Sequence, residues 1–146
     1  MTIAIDFDGT VVTHDYPEVG KDIGAVSVLK KLVEKGHQLI LYTMRSHKEE
    51  EVRYTFVDGN NKIREINKTI DTLQDAIDWF KKNEIPLYGI NENPTQKEWT
   101  DSSKVYANLY IDDSALGCPL IYEEMELRPY VDWEKVEYEL KKINIL

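Results

Sequence analysis

Apolar residues fall along this chain in two rhythms, short unbroken runs and longer stripes spaced three or four apart. The first run, residues 2–6, predicts a β-strand buried on both faces of a parallel sheet. Thr10 to Gly20 has no sustained periodicity and predicts a loop over the end of that strand. Ile23, Val26, Leu29, Leu32 and Val33 then form a helical stripe, with Asp22 as its expected N-cap and Lys35-Gly36 as its C-terminal stop. His37 to Thr43 predicts a second buried strand. Strand, helix and strand in this order make a βαβ unit, which implies a parallel pair with a right-handed crossover.

Residues 44–70 break the rhythm and predict a small insertion. Lys48-Glu49-Glu50-Glu51 is expected on a solvated face. Val52, Tyr54 and Phe56 alternate with polar residues before the turn signal Asp58-Gly59-Asn60-Asn61. That alternation predicts a β-hairpin, with a helix broken at Gly59 as the alternative. Thr72 to Asn83 predicts a helix with Leu73, Ala76, Ile77 and Phe80 on its apolar face and Trp79 at the edge. Ile85 to Ile90 predicts a third strand, Asn91 to Ser103 a polar loop, and Asn108 to Ile111 a strand that ends in Asp112 and Asp113. Leu120-Ile121-Tyr122 predicts a short final strand, and a C-terminal helix follows. Asp132 is its expected cap, and Val131 and Val136 have the spacing of a hydrophobic staple. The fold expected is α/β: a single Rossmann-like three-layer sandwich over residues 1–146, built on a central, mostly parallel sheet.

Composition narrows the function. A net charge of -9 argues against sequence-independent binding to nucleic acid or an anionic membrane, both of which need basic patches. It leaves a small phosphorylated molecule open, because a local cation can invert the field inside one site. Cys118 is the single cysteine, which excludes an internal disulfide and fits a reducing compartment. No run reaches the ~20 apolar residues of a membrane span. Asp6 stands where a signal peptide would carry positive charge, so a cytoplasmic soluble domain is expected.

The candidate chemistry lies at the carboxyl ends of the strands, where open α/β sheets bind their ligands. Asp6 and Asp8 share one face by the strand period of two, and Gly9 lets the backbone turn just past them. Thr43 closes the second strand, and Asp112 and Asp113 close the fourth. Four carboxylates gathered on one edge repel one another unless a cation sits among them, and all-oxygen ligands favour magnesium.

Taken together, Asp6-Phe7-Asp8-Gly9-Thr10, Thr43 after Leu39-Ile40-Leu41-Tyr42, Lys104, and Tyr110-Ile111-Asp112-Asp113 resemble the haloacid dehalogenase superfamily of phosphohydrolases. The resemblance spans most of the chain in the family's order. It implies a phosphatase in which Asp6 is the nucleophile that forms an aspartyl-phosphate, and Asp8 is the general acid and then base. Mg2+ would be held by Asp6, the Asp8 backbone carbonyl and Asp112. Thr43 and Lys104 would bind the phosphoryl oxygens, with Lys97 competing with Lys104 for that role. Gly9 and Thr10 complete the turn, and Arg45, just past Thr43, is a candidate to reach substrate. Asp113 would orient Lys104 or metal-bound water; alternatively it caps the following turn through Ser114. His14, His37 and His47 are expected in surface or packing roles, as are Trp79, Trp99 and Trp133 in packing.

Neither gap between the motifs is long enough for a large cap domain, so the chain reads as a capless or minimally capped member with an open site. A second copy could supply the missing cover, which keeps a homo-oligomer open. The readings that compete with a phosphomonoesterase are a nucleotidase or polynucleotide-end phosphatase, and a catalytically silent metal- or phosphate-binding module.

Overall fold

The computed structural model describes residues 1–146. Its centre is β1 (Thr2–Ile5), whose four residues are all buried, as the unbroken apolar run requires. β1 is flanked by β2 (Gln38–Leu41) on one side and β6 (Leu109–Ile111) on the other. β5 (Gly89–Ile90) completes a four-stranded, all-parallel sheet in the order β5-β2-β1-β6. The register pairs Ile3 with Leu39 and Leu109, and Ile5 with Leu41 and Ile111. Those odd positions of β1 point to one face, where they join a single cluster with residues from all three helices.

That helical layer consists of α1 (Ala25–Glu34), α2 (Thr72–Lys82) and α3 (Trp133–Lys142). α1 buries Ala25, Val28, Leu29 and Leu32, one stripe at helical spacing. It ends as its sequence predicts. Gly36 takes a left-handed φ of 81°, and the N–H groups of Gly36 and His37 donate back to Val33 O and Leu32 O. Its start differs from expectation. The N-cap is Gly24, left-handed at φ 93° with no side-chain cap, while Asp22 pairs through its backbone with Val12 in the loop that crosses the sheet edge. α2 and α3 are capped by acids, Asp71 accepting from Gln74 N (2.9 Å) and Asp132 from Lys135 N (3.1 Å). Val131 and Val136 both enter the core, as the staple spacing implies.

The opposite face is covered by the 91–108 crossover, whose regular structure is one 3-10 turn at Gln96–Glu98. Tyr110 of β6 anchors it: its hydroxyl donates to Val105 O (2.6 Å) and accepts from Ala107 N (3.1 Å). The result is a Rossmann-like α/β fold. No helix is long and apolar enough to cross a membrane. The third strand is shorter than its apolar run predicts. Ile85 is spent on closing α2, its N–H donating to Phe80 O past Glu84 at φ 57°, and Pro86 has no N–H to donate.

The insertion is a β-hairpin and not a broken helix. β3 (Glu49–Val57) pairs antiparallel with β4 (Ile63–Asp71) over nine residue pairs, and the Lys48–Glu51 charge run leads into β3. Opposed residues share a face, so Tyr54 and Ile66 stand together beside Val52 and Phe56, while the other face is almost wholly polar. Of the hairpin residues only Ile70, at its base, is buried. A two-stranded ribbon with so little burial contributes little to global stability. A short β7 (Leu120–Ile121) pairs with β8 (Tyr130–Val131) outside the main sheet.

Replacing residues 53–67 by Asn-Gly would close the paired Val52 and Lys68 with a type I′ turn. The shortened chain is expected to keep its far-UV spectrum and to unfold within a few degrees of the full protein. A loss of cooperative melting would show that the ribbon is integral to the core.

Candidate active site

The carboxyl edge of the sheet is built around one turn. Phe7 enters the core and packs edge-on against Trp79 (5.8 Å between ring centroids), which fixes the chain just past β1. Its carbonyl then accepts from the N–H groups of Thr10, Val11 and Val12, folding the backbone back on itself. Gly9 makes the reversal with φ 78°, and a Cβ there would lie 2.0 Å from the His14 ring. Trp133 of α3 is more than packing, since its indole N–H donates to Thr10 O (2.7 Å) and braces the turn from the core.

Asp6, Asp112 and Asp113 converge, each offering a carboxylate oxygen within 4.8 Å of the others. Thr10 sits at the junction. Its buried hydroxyl donates to Asp6 Oδ2 (3.3 Å) and accepts from Asp113 N (3.0 Å). Burial, followed by the charges of Asp112, Asp113 and Asp8, pushes the Asp6 carboxyl up to about 7, while the Phe7 N–H hydrogen-bonded to it pulls the other way. Asp113 is held by His14, whose Nε2 lies 3.1 Å from Oδ2, and by Arg128 at 3.8 Å. The turn through Ser114 is capped by Asp112, not Asp113: Ser114 N donates to Asp112 Oδ1 (2.7 Å). Three carboxylate oxygens, one of them from a carboxyl whose charge is poorly solvated, suit a small hard cation, so the residues fit magnesium.

Asp8 stands apart from this trio. Both its oxygens accept from Arg45, Oδ2 from Nε and Oδ1 from Nη2, each at 2.7 Å. Arg45 is buried and has no exposed donor to offer a substrate. Thr43 lies at the end of β2, where its N–H donates to Asn91 Oδ1 (2.8 Å) and its hydroxyl accepts from Arg45 N (3.2 Å). The backbone N–H groups of Asp8 and Met44 have no protein acceptor.

Lys104 reaches the same face of the sheet, because Tyr110 pairs with Ala4, two residues before Asp6. Its Nζ lies 5.7 Å from the Tyr110 ring centroid, and it makes no ion pair with the aspartates. Lys97 instead lines a polar cavity of about 570 Å³ that opens beside Asn91 and is lined by none of Asp6, Asp8, Asp112 and Asp113. His37 bonds Ile145 O (2.9 Å) and His47 bonds Asp71 (2.9 Å), both outside the site.

Sequence reasoning left out His14, Asn91, Arg128 and the brace from Trp133. Asn91 carried a usable signal, since it directly follows the third strand and so falls on the same edge as Thr43. His14 and Arg128 lie in irregular segments and carried none.

No family model matches the chain, and no curated protein does. Among solved structures it is similar to a conserved protein from Bacteroides thetaiotaomicron, with 29% identity and a TM-score of 0.68. The match covers 99% of this chain and 92% of that one.

Gly9→Ala is expected to cost about 2–5 kcal/mol in urea unfolding, from a left-handed φ on a residue with a Cβ and from the clash with His14. His14→Ala in the same chain should recover the clash but not the backbone strain. A purely additive double variant would refute the contact.

Proposed function

We propose that this chain is a magnesium-dependent phosphatase of the haloacid dehalogenase type, hydrolysing a small phosphomonoester through an aspartyl-phosphate on Asp6. The observation that carries this reading is the trio Asp6, Asp112 and Asp113 at the carboxyl edge of a parallel sheet, with the Asp6 carboxyl poorly solvated. A half-buried acid among acids is unfavourable in a purely structural role, and it is what a cation-assisted carboxylate nucleophile needs.

In this reading an Asp6 oxygen attacks phosphorus as the ester P–O bond breaks, and the leaving oxygen takes a proton from Asp8. Water then attacks the aspartyl-phosphate, gives a proton back to Asp8, and releases inorganic phosphate with Asp6 restored. In this reading Asp8 enters the first step protonated and leaves it as the carboxylate that the Arg45 fork stabilises, each oxygen accepting one Arg45 hydrogen bond. The free N–H groups of Asp8 and Met44, the Thr43 hydroxyl and Lys104 would hold the phosphoryl oxygens. Asp6 and Asp112, with Asp113 or the Asp8 carbonyl, would hold magnesium, which when bound balances the acids and polarises the phosphoryl group.

Two measurements test this. Wild type should hydrolyse p-nitrophenyl phosphate only with Mg2+, and Asp6→Asn should lower kcat by at least about 1,000-fold. If wild type turns over nothing, the chain is better read as a metal- or phosphate-binding module.

The second is thermodynamic. A carboxyl raised to about 7 from the ordinary 3.8 binds a proton in the folded state that it does not bind unfolded. Asp6 therefore contributes stability in the metal-free protein that is fully present below pH 3.8 and is lost as pH rises through about 7. Mg2+ must displace this proton below about 7, so the rise in Tm on adding Mg2+ should be larger at pH 8 than at pH 6. Asp6→Asn should abolish that difference, and an equal shift at both pH values would show that Mg2+ displaces no proton from Asp6.

A further inference from the structure

We propose that Arg45 is a positioning residue for Asp8, fixing its carboxylate while pinning the two segments that border it; the proposal rests on the phosphatase reading. The Arg45 guanidinium is only 1% exposed, and each of its five N–H donors has an acceptor. Nε and one Nη2 donor grip the two Asp8 oxygens at 2.7 Å. The second Nη2 donor reaches Glu18 O (2.6 Å), and Nη1 donates to Pro17 O and Thr72 O, both at 3.2 Å. Its central carbon lies 4.9 Å from the Phe7 ring centroid and 5.3 Å from that of Tyr16. No donor remains for a substrate oxygen, so Arg45 acts on the reaction through the groups it holds and not by touching substrate.

The other acceptors show what is being tied together. Pro17 and Glu18 belong to the 10–20 loop over the sheet edge, and Thr72 is where the hairpin ends and α2 begins. Tyr16 of that loop also hydrogen-bonds Glu50 of β3. One planar cation thus sets the Asp8 carboxylate plane, the loop beside it and the root of the hairpin. Asp8 is the only acid paired with Arg45; its remaining partners are backbone carbonyls, which bind the same fork but do not balance its charge. Bidentate geometry is specific to arginine: lysine at this position keeps the charge but offers a point contact.

A proton carrier works only when placed within hydrogen-bond reach of the leaving oxygen, and misplacement by about 1 Å can cost about 100-fold. The penalty should depend on how much the leaving group needs the proton. Phenyl phosphate releases a more basic oxygen than p-nitrophenyl phosphate and relies more on Asp8. For Arg45→Lys with Mg2+, kcat/KM is expected to fall about 10-fold on p-nitrophenyl phosphate and about 100-fold on phenyl phosphate. A structural role alone would lower both equally, and an equal loss or no loss overturns the proposal. If Arg45→Lys does not fold, the Arg45 Nε–H of wild type can be followed by 15N NMR as Mg2+ and beryllium fluoride are added. A signal that stays protected from exchange supports the pair as a persistent support, and its loss overturns it. Wild type without Mg2+-dependent turnover would defeat the phosphatase reading and this proposal together, whereas an active wild type with an unselective Arg45→Lys defeats this one alone.

Discussion

Four carboxylates crowd the carboxyl edge of one small sheet, and the surrounding structure is arranged around distributing their charge. Two unit charges about 4 Å apart repel by about 4 kcal/mol at the effective dielectric of a protein surface, so several unrelieved contacts would rival the stability of the fold. The acids are not relieved in the same way. Asp8 is taken out of the cluster by a bidentate pair with Arg45. Asp113 is met by His14 and Arg128. Asp112 spends one oxygen on the Ser114 N–H. Asp6 receives only a hydroxyl and its neighbour's amide, and it is the one whose proton affinity climbs. The unbalanced charge is concentrated on a single residue beside a partly satisfied one, which is where a cation gains most.

The supports of this edge come from distant parts of the chain, and most pass through two small residues. Thr10 links the Asp6 carboxylate to the Asp113 amide through its hydroxyl and is held by Trp133 through its carbonyl, so α3 helps set the distance between β1 and β6 at the site. Gly9 permits the reversal and leaves room for His14, which reaches Asp113. A short turn of Phe7 to Thr10 therefore meets the core with its apolar side and the acids with its polar side. Losing the Thr10 hydroxyl would loosen Asp6 and Asp113 together.

Much of this was legible in the pattern of residues and part of it was not. The parallel sheet follows from unbroken apolar runs alternating with helical stripes, and strand ends place Asp6, Thr43 and Asp112 on one edge before any contact is known. The hairpin is visible in the alternation of Val52, Tyr54 and Phe56 around a turn signal. Periodicity assigns residues to faces but does not name partners across the fold. Arg45 and Asp8 are 37 residues apart and meet only because β1 and β2 are neighbours, so a reach toward substrate and an ion pair with Asp8 were equally compatible with the sequence. Helix starts were weakly specified as well: Asp22 has the chemistry of a cap, but the bridge to Val12 claims its backbone and the left-handed Gly24 begins the helix instead.

The arrangement around Arg45 bears on how the carboxyl edge of the sheet is organised. Under the proposed reaction, the position of the proton carrier would come from the fold itself and not from closure. Here the 10–20 loop and the hairpin root are joined to each other through Tyr16 and Glu50, and to Asp8 through one guanidinium. The projecting ribbon contributes little burial, so its connection to the site runs through polar contacts at its base. Such a linkage makes the local geometry depend on a few directional bonds in place of a broad packed interface. It concentrates sensitivity at Arg45, where one buried cation holds the placement of Asp8 and of both segments that border it.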